Sequence, residues 1–257
     1  MFKNRAQLLF LILGAFFLTN ALVAQFIGAK IFSLEQTLGF EALNLTLFSV
    51  EDLGFNLTAG VLLWPVVFVM TDIINEYYGV KGVKLLTYLA IGLIIYAFAM
   101  VFFAINLSPN NWWDSISGLR DEPSDSILSM NLAFRRIFGQ GLWIIMGSLI
   151  AFFVGQVLDV SIFHKIRQWT GEEKIWLRAT GSTIVSQLVD SFVVLMIAFY
   201  IGADWDLVRV LAIGCVNFCY KVFMAVLLTP IIYLAHNFID KFLGRETAEH
   251  LKNEAAI

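Results

Sequence analysis

The sequence predicts an all-α polytopic membrane protein with six transmembrane helices and both termini in the cytoplasm. Three observations predict it. Of 257 residues, 59% are hydrophobic and only 14% charged, whereas a soluble domain is nearer half apolar and a quarter charged. Six apolar runs approach the roughly 20 residues that cross about 30 Å of hydrocarbon. Threading those runs back and forth leaves the basic residues unequally divided between the two sides.

The runs are read in order as residues 8–29, 57–74, 85–107, 137–162, 179–203 and 207–235. Backbone inside lipid has to satisfy its own N–H and C=O groups, so each run is expected to be a helix. Lys3 and Arg5 before the first run would also suit a signal peptide, but the run outlasts the roughly 7–15 apolar residues of one. The second run holds Trp64-Pro65, and the proline is expected to kink it. Residues 108–136 form the longest loop, with Trp112-Trp113 as interfacial anchors, and residues 130–137 either begin helix four or lie on the surface. The charged segment 241–257 is expected to be a flexible cytoplasmic tail. With four prolines and no linker-like stretch, residues 1–257 read as a single domain.

With the N-terminus inside, the cytoplasmic side holds Lys3, Arg5, Lys81, Lys84, Lys165, Arg167, Lys174, Arg178, Lys241, Arg245 and Lys252. The outer side holds Lys30, Arg120, Arg135, Arg136 and Arg209, and is rich instead in acids such as Glu35, Glu41, Glu51 and Asp52. This is the positive-inside bias. It fits the bacterial inner membrane, with the lipid bilayer as surroundings. A net charge of -3 gives no footprint for nucleic acid.

Function is written in the polar exceptions, because an ionisable group in a spanning helix is costly and faces the bundle interior or a wet cavity. Helix five carries Gln187 and Asp190 three residues apart, with Thr183 one turn below. Helix six carries Asn217, Tyr220 and Lys221 on one face. At 1.5 Å per residue, Asp190 and Lys221 lie roughly 17 and 21 Å above the cytoplasmic ends of their helices, so an ion pair or a shared ligand is expected. Helix four carries Gln156 and Asp159. Helix two carries Asp72, Asn75 and Glu76 on one face, and helix one carries Asn20 with Gln25 above it. Singly, such amides and hydroxyls are often interhelical glue worth about 0.6 kcal/mol each. Together, carboxylates and amides on facing helices suit the hydrogen-bonding edge of a flat polar heterocycle.

Other chemistries lack their residues. No G-x-x-x-x-G-K-[ST], H-E-x-x-H or G-x-S-x-G run occurs, so neither ATP hydrolysis by this chain nor a zinc or serine hydrolase is indicated. His164, His236 and His250 fall at or beyond the expected cytoplasmic ends. Cys215 and Cys219 share a helix face without other ligands and read as packing residues rather than a metal or disulfide site. No enzyme activity, metal or cofactor is expected. An intramembrane enzyme using Asp159 and Asp190 is disfavoured because the two are expected about 10 Å apart in depth.

The runs Trp64–Gly79 (WPVVFVMTDIINEYYG), Gly155–Gln168 (GQVLDVSIFHKIRQ), Ser182–Phe199 (STIVSQLVDSFVVLMIAF) and Asn217–Val222 (NFCYKV) resemble the queuosine precursor transporter family, also called vitamin-uptake-transporter-like. The resemblance covers helices two, four, five and six in order. It implies import of 7-deazaguanine precursors of the tRNA nucleoside queuosine, with Asp72, Gln156, Asp159, Gln187, Asp190 and Lys221 lining the path. The family is also similar in shape to the six-helix substrate-binding subunits of energy-coupling-factor importers. The alternative is therefore a vitamin or nucleobase subunit that works with a separate ATPase. A homo-oligomer and a coupling partner both stay open.

Overall fold

A helix must bury its polar side chains against other helices while its apolar ones face lipid, and the chain does both in long helices. The computed structural model describes residues 5–114, 129–139, 142–170 and 175–255. Helix α1 (Arg5–Ile27) buries Leu9, Leu13, Phe17, Ala21 and Ala24 on one face and exposes Leu11, Ile12 and Phe16 on the other. The short helix α2 (Leu34–Thr37) is followed by α3 (Trp64–Ile105), α4 (Asn111–Asp114) and α5 (Met130–Phe138). Then come α6 (Leu142–Thr170), α7 (Ile175–Leu195), α8 (Leu207–Leu243) and α9 (Arg245–Ala255). The last turns of the α7 rod widen into a π-helix at Met196–Ile201.

Among the described residues, five helical stretches are long and apolar enough to cross a membrane: α1, α3, the one containing α6, α7 with its π-helical end, and α8. Helix α3 has 42 residues, about 63 Å at 1.5 Å per residue, which is twice the hydrocarbon thickness. It is not one rod. Gly79 has φ 64° and ψ -171°, a region open essentially to glycine alone, and it divides α3 into residues 64–78 and 80–105.

Between α1 and α3 lies a small cap. Strand β1 (Ile31–Ser33) pairs antiparallel with β4 (Asn56–Thr58), and β2 (Leu45–Leu47) pairs with β3 (Val50–Leu53). Buried Glu35 ties the cap together. Its Oε1 accepts from the Phe55 N–H at 2.7 Å and its Oε2 accepts from the Ser33 hydroxyl at 3.1 Å. Leu53 packs on Ala212 and Val216 of α8, and Leu57 and Val61 pack on Tyr220.

The opposite end is closed by α9. Ala248 joins the main core beside Tyr77 and Ile239. Lys252 pairs with Asp240 at 2.9 Å, and Asp240 accepts a 2.7 Å bond from the Tyr77 hydroxyl. Arg5 donates to the Phe242 carbonyl at 3.1 Å, so the start of α1 and the end of α8 meet here.

Several expectations change. Apolar residues 57–63 do not extend helix two, because Asn56–Thr58 complete a strand and Ala59–Leu62 form a 3-10 turn. Pro65 makes no kink. It sits in the first turn of α3, where a missing N–H costs nothing. The break falls at Gly79 instead. Where a flexible tail was expected, residues 245–255 form α9, whose Ala248 and Leu251 stripe is packed on the bundle. Residues 130–138 form a helix of their own, α5, capped by Ser129. Lys3, Lys174 and the loop charges Arg120, Asp121, Glu122 and Asp125 lie outside the described residues.

Two outcomes follow. Gly79→Ala forces a Cβ to within 3.1 Å of the Ala255 carbonyl in a glycine-only conformation. It is expected to cost about 1–3 kcal/mol, read as a lower midpoint of thermal unfolding in detergent. Burial pushes the Glu35 carboxyl up, but the Phe55 N–H, its own N–H and the Ser33 hydroxyl outweigh this and hold its pKa below the usual glutamate range. Its contribution to the cap is therefore full above the unfolded value, about 4.3, and is lost as pH falls through the depressed folded value. The protection of the Phe55 amide against hydrogen exchange, taken relative to its intrinsic rate at each pH, should fall in acid, and Glu35→Gln should remove that dependence.

Candidate functional site

Three helices turn polar stripes toward each other. On α3, Thr71, Asp72, Asn75 and Glu76 share a face, and all four are buried. Helix α6 supplies Gln156, Asp159, His164 and Arg167, and α7 supplies Arg178, Ser182, Thr183, Ser186 and Gln187. At 3.6 residues per turn each set falls within about half the circumference of its helix.

At the base, Arg178 pairs with Glu76 at 2.6 Å, and both side chains are at most 2% exposed. Arg167 approaches the other oxygen of Glu76 at 3.9 Å and also donates to the Lys252 carbonyl of α9 at 2.9 Å. The Arg178 guanidinium lies over the Phe163 ring, 5.6 Å from its centroid. Asn75 Oδ1 is 2.9 Å from His164 Nε2. One turn earlier on α3, the Thr71 hydroxyl donates to Gln156 Oε1 at 3.0 Å. The Thr183 hydroxyl lies between two carboxylates, 3.5 Å from Asp72 Oδ2 and 3.4 Å from Asp159 Oδ1. Ser186 reaches the same Asp159 oxygen at 3.2 Å.

Beside this cluster, α3, α7 and α8 enclose a narrow cleft with about 20 Å³ of free volume, room for a water molecule, so the helices must part to admit anything larger. Its walls are apolar apart from Asp72, Thr180, Thr183, Gln187 and Lys221, with Trp64 and Phe68 on the α3 side. Asp72 Oδ1 has no hydrogen-bond partner among the described residues. Lys221 forms a direct ion pair with Asp190, as the matched depths of α7 and α8 lead one to expect.

The eleven residues singled out from the sequence therefore divide. Asp72, Gln187 and Lys221 line the cleft, and Asp190 holds Lys221. Asn75, Glu76, Gln156 and Asp159 lie behind it in the buried cluster. Tyr220 packs under the cap against Leu57 and Val61. Asn20 donates to the Phe16 carbonyl of its own helix at 2.8 Å. Asn217 is half-buried and is not among the cleft residues. Asn20, Tyr220 and Asn217 are thus not brought to the cleft, because helix spacing shows which residues share a face and not which neighbour that face meets.

Sequence reasoning missed Arg167 and Arg178, assigned to loops by their positions near helix ends. Each helix runs one to two turns beyond its apolar stretch, so both arginines sit inside the bundle. A signal existed. Arg178, Ser182, Ser186 and Asp190 recur every four residues along one stripe, and a solvated loop has no such period.

Removing one partner of a buried pair leaves a lone charge and costs about 3–5 kcal/mol. Arg178→Ala should therefore depress thermal stability sharply, and Glu76→Gln combined with Arg178→Met should recover much of the loss.

Residues 58–235, more than half of the chain, match the family described as "Putative vitamin uptake transporter". A Bacillus subtilis (strain 168) protein named "Probable queuosine precursor transporter" is 32% identical over 152 residues, 59% of this chain and 60% of the relative. A Haemophilus influenzae protein of the same name is 27% identical over 181 residues, 70% of this chain and 68% of that one. The Escherichia coli (strain K12) "Queuosine precursor transporter" is 26% identical over 178 residues, 69% of this chain and 71% of the relative. The chain thus spans between 60% and 71% of the length of these relatives. No solved structure matches it. All the cleft residues, and the ion pairs of Glu76 and Asp190, fall inside the matched region. With its long apolar helices and this match, the chain is a multi-pass bacterial membrane protein that belongs to the "Putative vitamin uptake transporter" family.

Proposed function

We propose that this protein is a carrier, not an enzyme, that imports 7-deazaguanine precursors of queuosine across the bacterial inner membrane for tRNA modification. Counting residues 64–78 and 80–105 as separate passes gives six spans. Residues 64–78 are about 22 Å long, so the 3-10 turn before them completes that pass. The meeting of Arg5 with Phe242 supports both termini on one side, and the basic-residue bias makes that side the cytoplasm.

The observation that carries the reading is Asp72. It is a carboxylate on the wall of an apolar cleft, with one oxygen unpartnered among the described residues. Its two oxygens match the adjacent N1–H and exocyclic amine of a guanine-like edge, a charge-assisted bidentate arrangement. The amide of Gln187 complements a ring carbonyl and a donor. Lys221, oriented by Asp190, keeps further N–H donors for a carbonyl. Trp64 and Phe68 on the cleft wall offer aromatic rings on which a flat base can stack once the helices part to admit it. The names of the relatives support the same substrate class.

Uptake of radiolabelled 7-aminomethyl-7-deazaguanine by the purified protein in liposomes tests this. Wild type should accumulate label without any partner, which separates the carrier from a subunit that depends on an ATPase. Asp72→Asn should abolish uptake with normal membrane insertion, and Gln187→Ala should weaken it about tenfold, the worth of a hydrogen bond of about 1.4 kcal/mol. Normal uptake by Asp72→Asn rejects the assignment.

A further inference from the structure

The buried cluster contains more negative charge than its cations answer. Glu76 faces Arg178 and Arg167, and Asp190 faces Lys221. Asp72 and Asp159, 2% and 0% exposed, have no cation within 4.0 Å among the described residues. Burial of two unpaired carboxylates this close disfavours ionising both, since each lone buried charge costs several kcal/mol.

The hydrogens give the same answer by counting. The Thr183 hydroxyl carries one hydrogen yet lies within reach of Asp72 Oδ2 and Asp159 Oδ1. Ser186 also carries one hydrogen, shared between Asp159 Oδ1 and the Thr183 carbonyl. Thr183 can donate to one carboxylate only. The other contact is a hydrogen bond only if that carboxyl group brings its own proton. Asp72 Oδ1 and Asp159 Oδ2 are buried and unpartnered, so the site has unused capacity for hydrogen.

We propose that Asp72, Thr183 and Asp159 form one exchangeable proton site that couples substrate import to proton entry. The proposal rests on the carrier reading and adds its energy source. Asp72 and Thr183 line the cleft while Asp159 lies behind them, so a proton on Asp159 reaches the cleft through the Thr183 hydroxyl. Thr183 accepts it from Asp159 and passes its own hydrogen to Asp72, which releases a proton to water in the cleft. A proton on Asp159 leaves Asp72 ionised to read the N–H donors of the substrate, so substrate and proton favour each other's binding.

The other charged and titratable groups around the site are committed elsewhere. On α6, His164 meets Asn75 and Arg167 faces Glu76 and the α9 backbone. On α7, Arg178 pairs with Glu76. On α8, Lys221 is held by Asp190, and His236 contacts the Tyr77 hydroxyl.

The test uses full-length protein in liposomes loaded with a pH-sensitive dye, with radiolabelled 7-cyano-7-deazaguanine, a neutral base, as probe. Adding the base to wild type should acidify the lumen. An interior one pH unit more alkaline should raise steady-state accumulation about tenfold for one proton per base. Asp159→Asn, which keeps the shape, should still exchange labelled for unlabelled base but lose both the acidification and the pH-driven accumulation. Thr183→Val should slow proton entry more than exchange. If wild type exchanges the base with no proton movement, or if a sodium gradient at constant pH drives accumulation instead, the proposal fails while the carrier reading stands. If wild type neither binds nor exchanges the base, the carrier reading itself fails. Should Asp159→Asn fail to insert, the wild-type dye signal decides alone.

Discussion

The Glu76–Arg178 pair is the interaction on which the arrangement of helices depends. Two opposite charges, each nearly free of solvent contact, have been taken out of water and must answer each other within hydrogen-bond distance. That contact constrains how α3 packs against α7. Arg167 adds α6 to the same carboxylate, so three helices are registered around one side chain. The consequence is felt one turn away. Asp72 lies four residues before Glu76, and Thr183 lies five after Arg178. Fixing the pair therefore brings Asp72 and Thr183 to the same wall of the cleft. A hydrophobic contact would stabilise such a bundle as well, but it would tolerate sliding. A buried ion pair does not.

The cleft inherits its boundaries from what closes each end of the bundle. On one side the cap presses Leu57 and Val61 onto Tyr220, with Glu35 holding the backbone that carries them. On the other, α9 lies against the break at Gly79, whose missing Cβ allows the Ala255 backbone to come close. Arg167 belongs to both systems, since it approaches Glu76 and donates to the Lys252 carbonyl. The buried polar cluster and the closure of the bundle are thus connected through this side chain.

The sequence made the long apolar helices and much of the polar cluster legible for one reason. Lipid excludes polar groups so strongly that each one left in a spanning run marks an inward face. That logic found Asp72, Gln187, Asp190 and Lys221, and it found the Asp190–Lys221 pair from depth alone. It failed where polarity is ordinary. Arg167 and Arg178 lie near helix ends, where charged residues usually reach water, so hydropathy read them as loop. Gly79 was invisible because its φ is a property of the backbone. Pro65 misled because a proline's effect depends on whether it falls in the first turn or the interior of a helix. Asn20, Asn217 and Tyr220 share the composition of site residues but face a helix's own backbone, no cleft, and the cap.

In the proposed carrier a guanine-like base is read by Asp72 in the cleft between α3, α7 and α8. An experimental structure of the protein in a lipid nanodisc, saturated with 7-cyano-7-deazaguanine, tests it most directly. The base is expected in that cleft, its N1–H and exocyclic amine on the Asp72 carboxylate and Gln187 within hydrogen-bond reach. A base bound elsewhere in the bundle, with the Asp72 cleft empty, would contradict it.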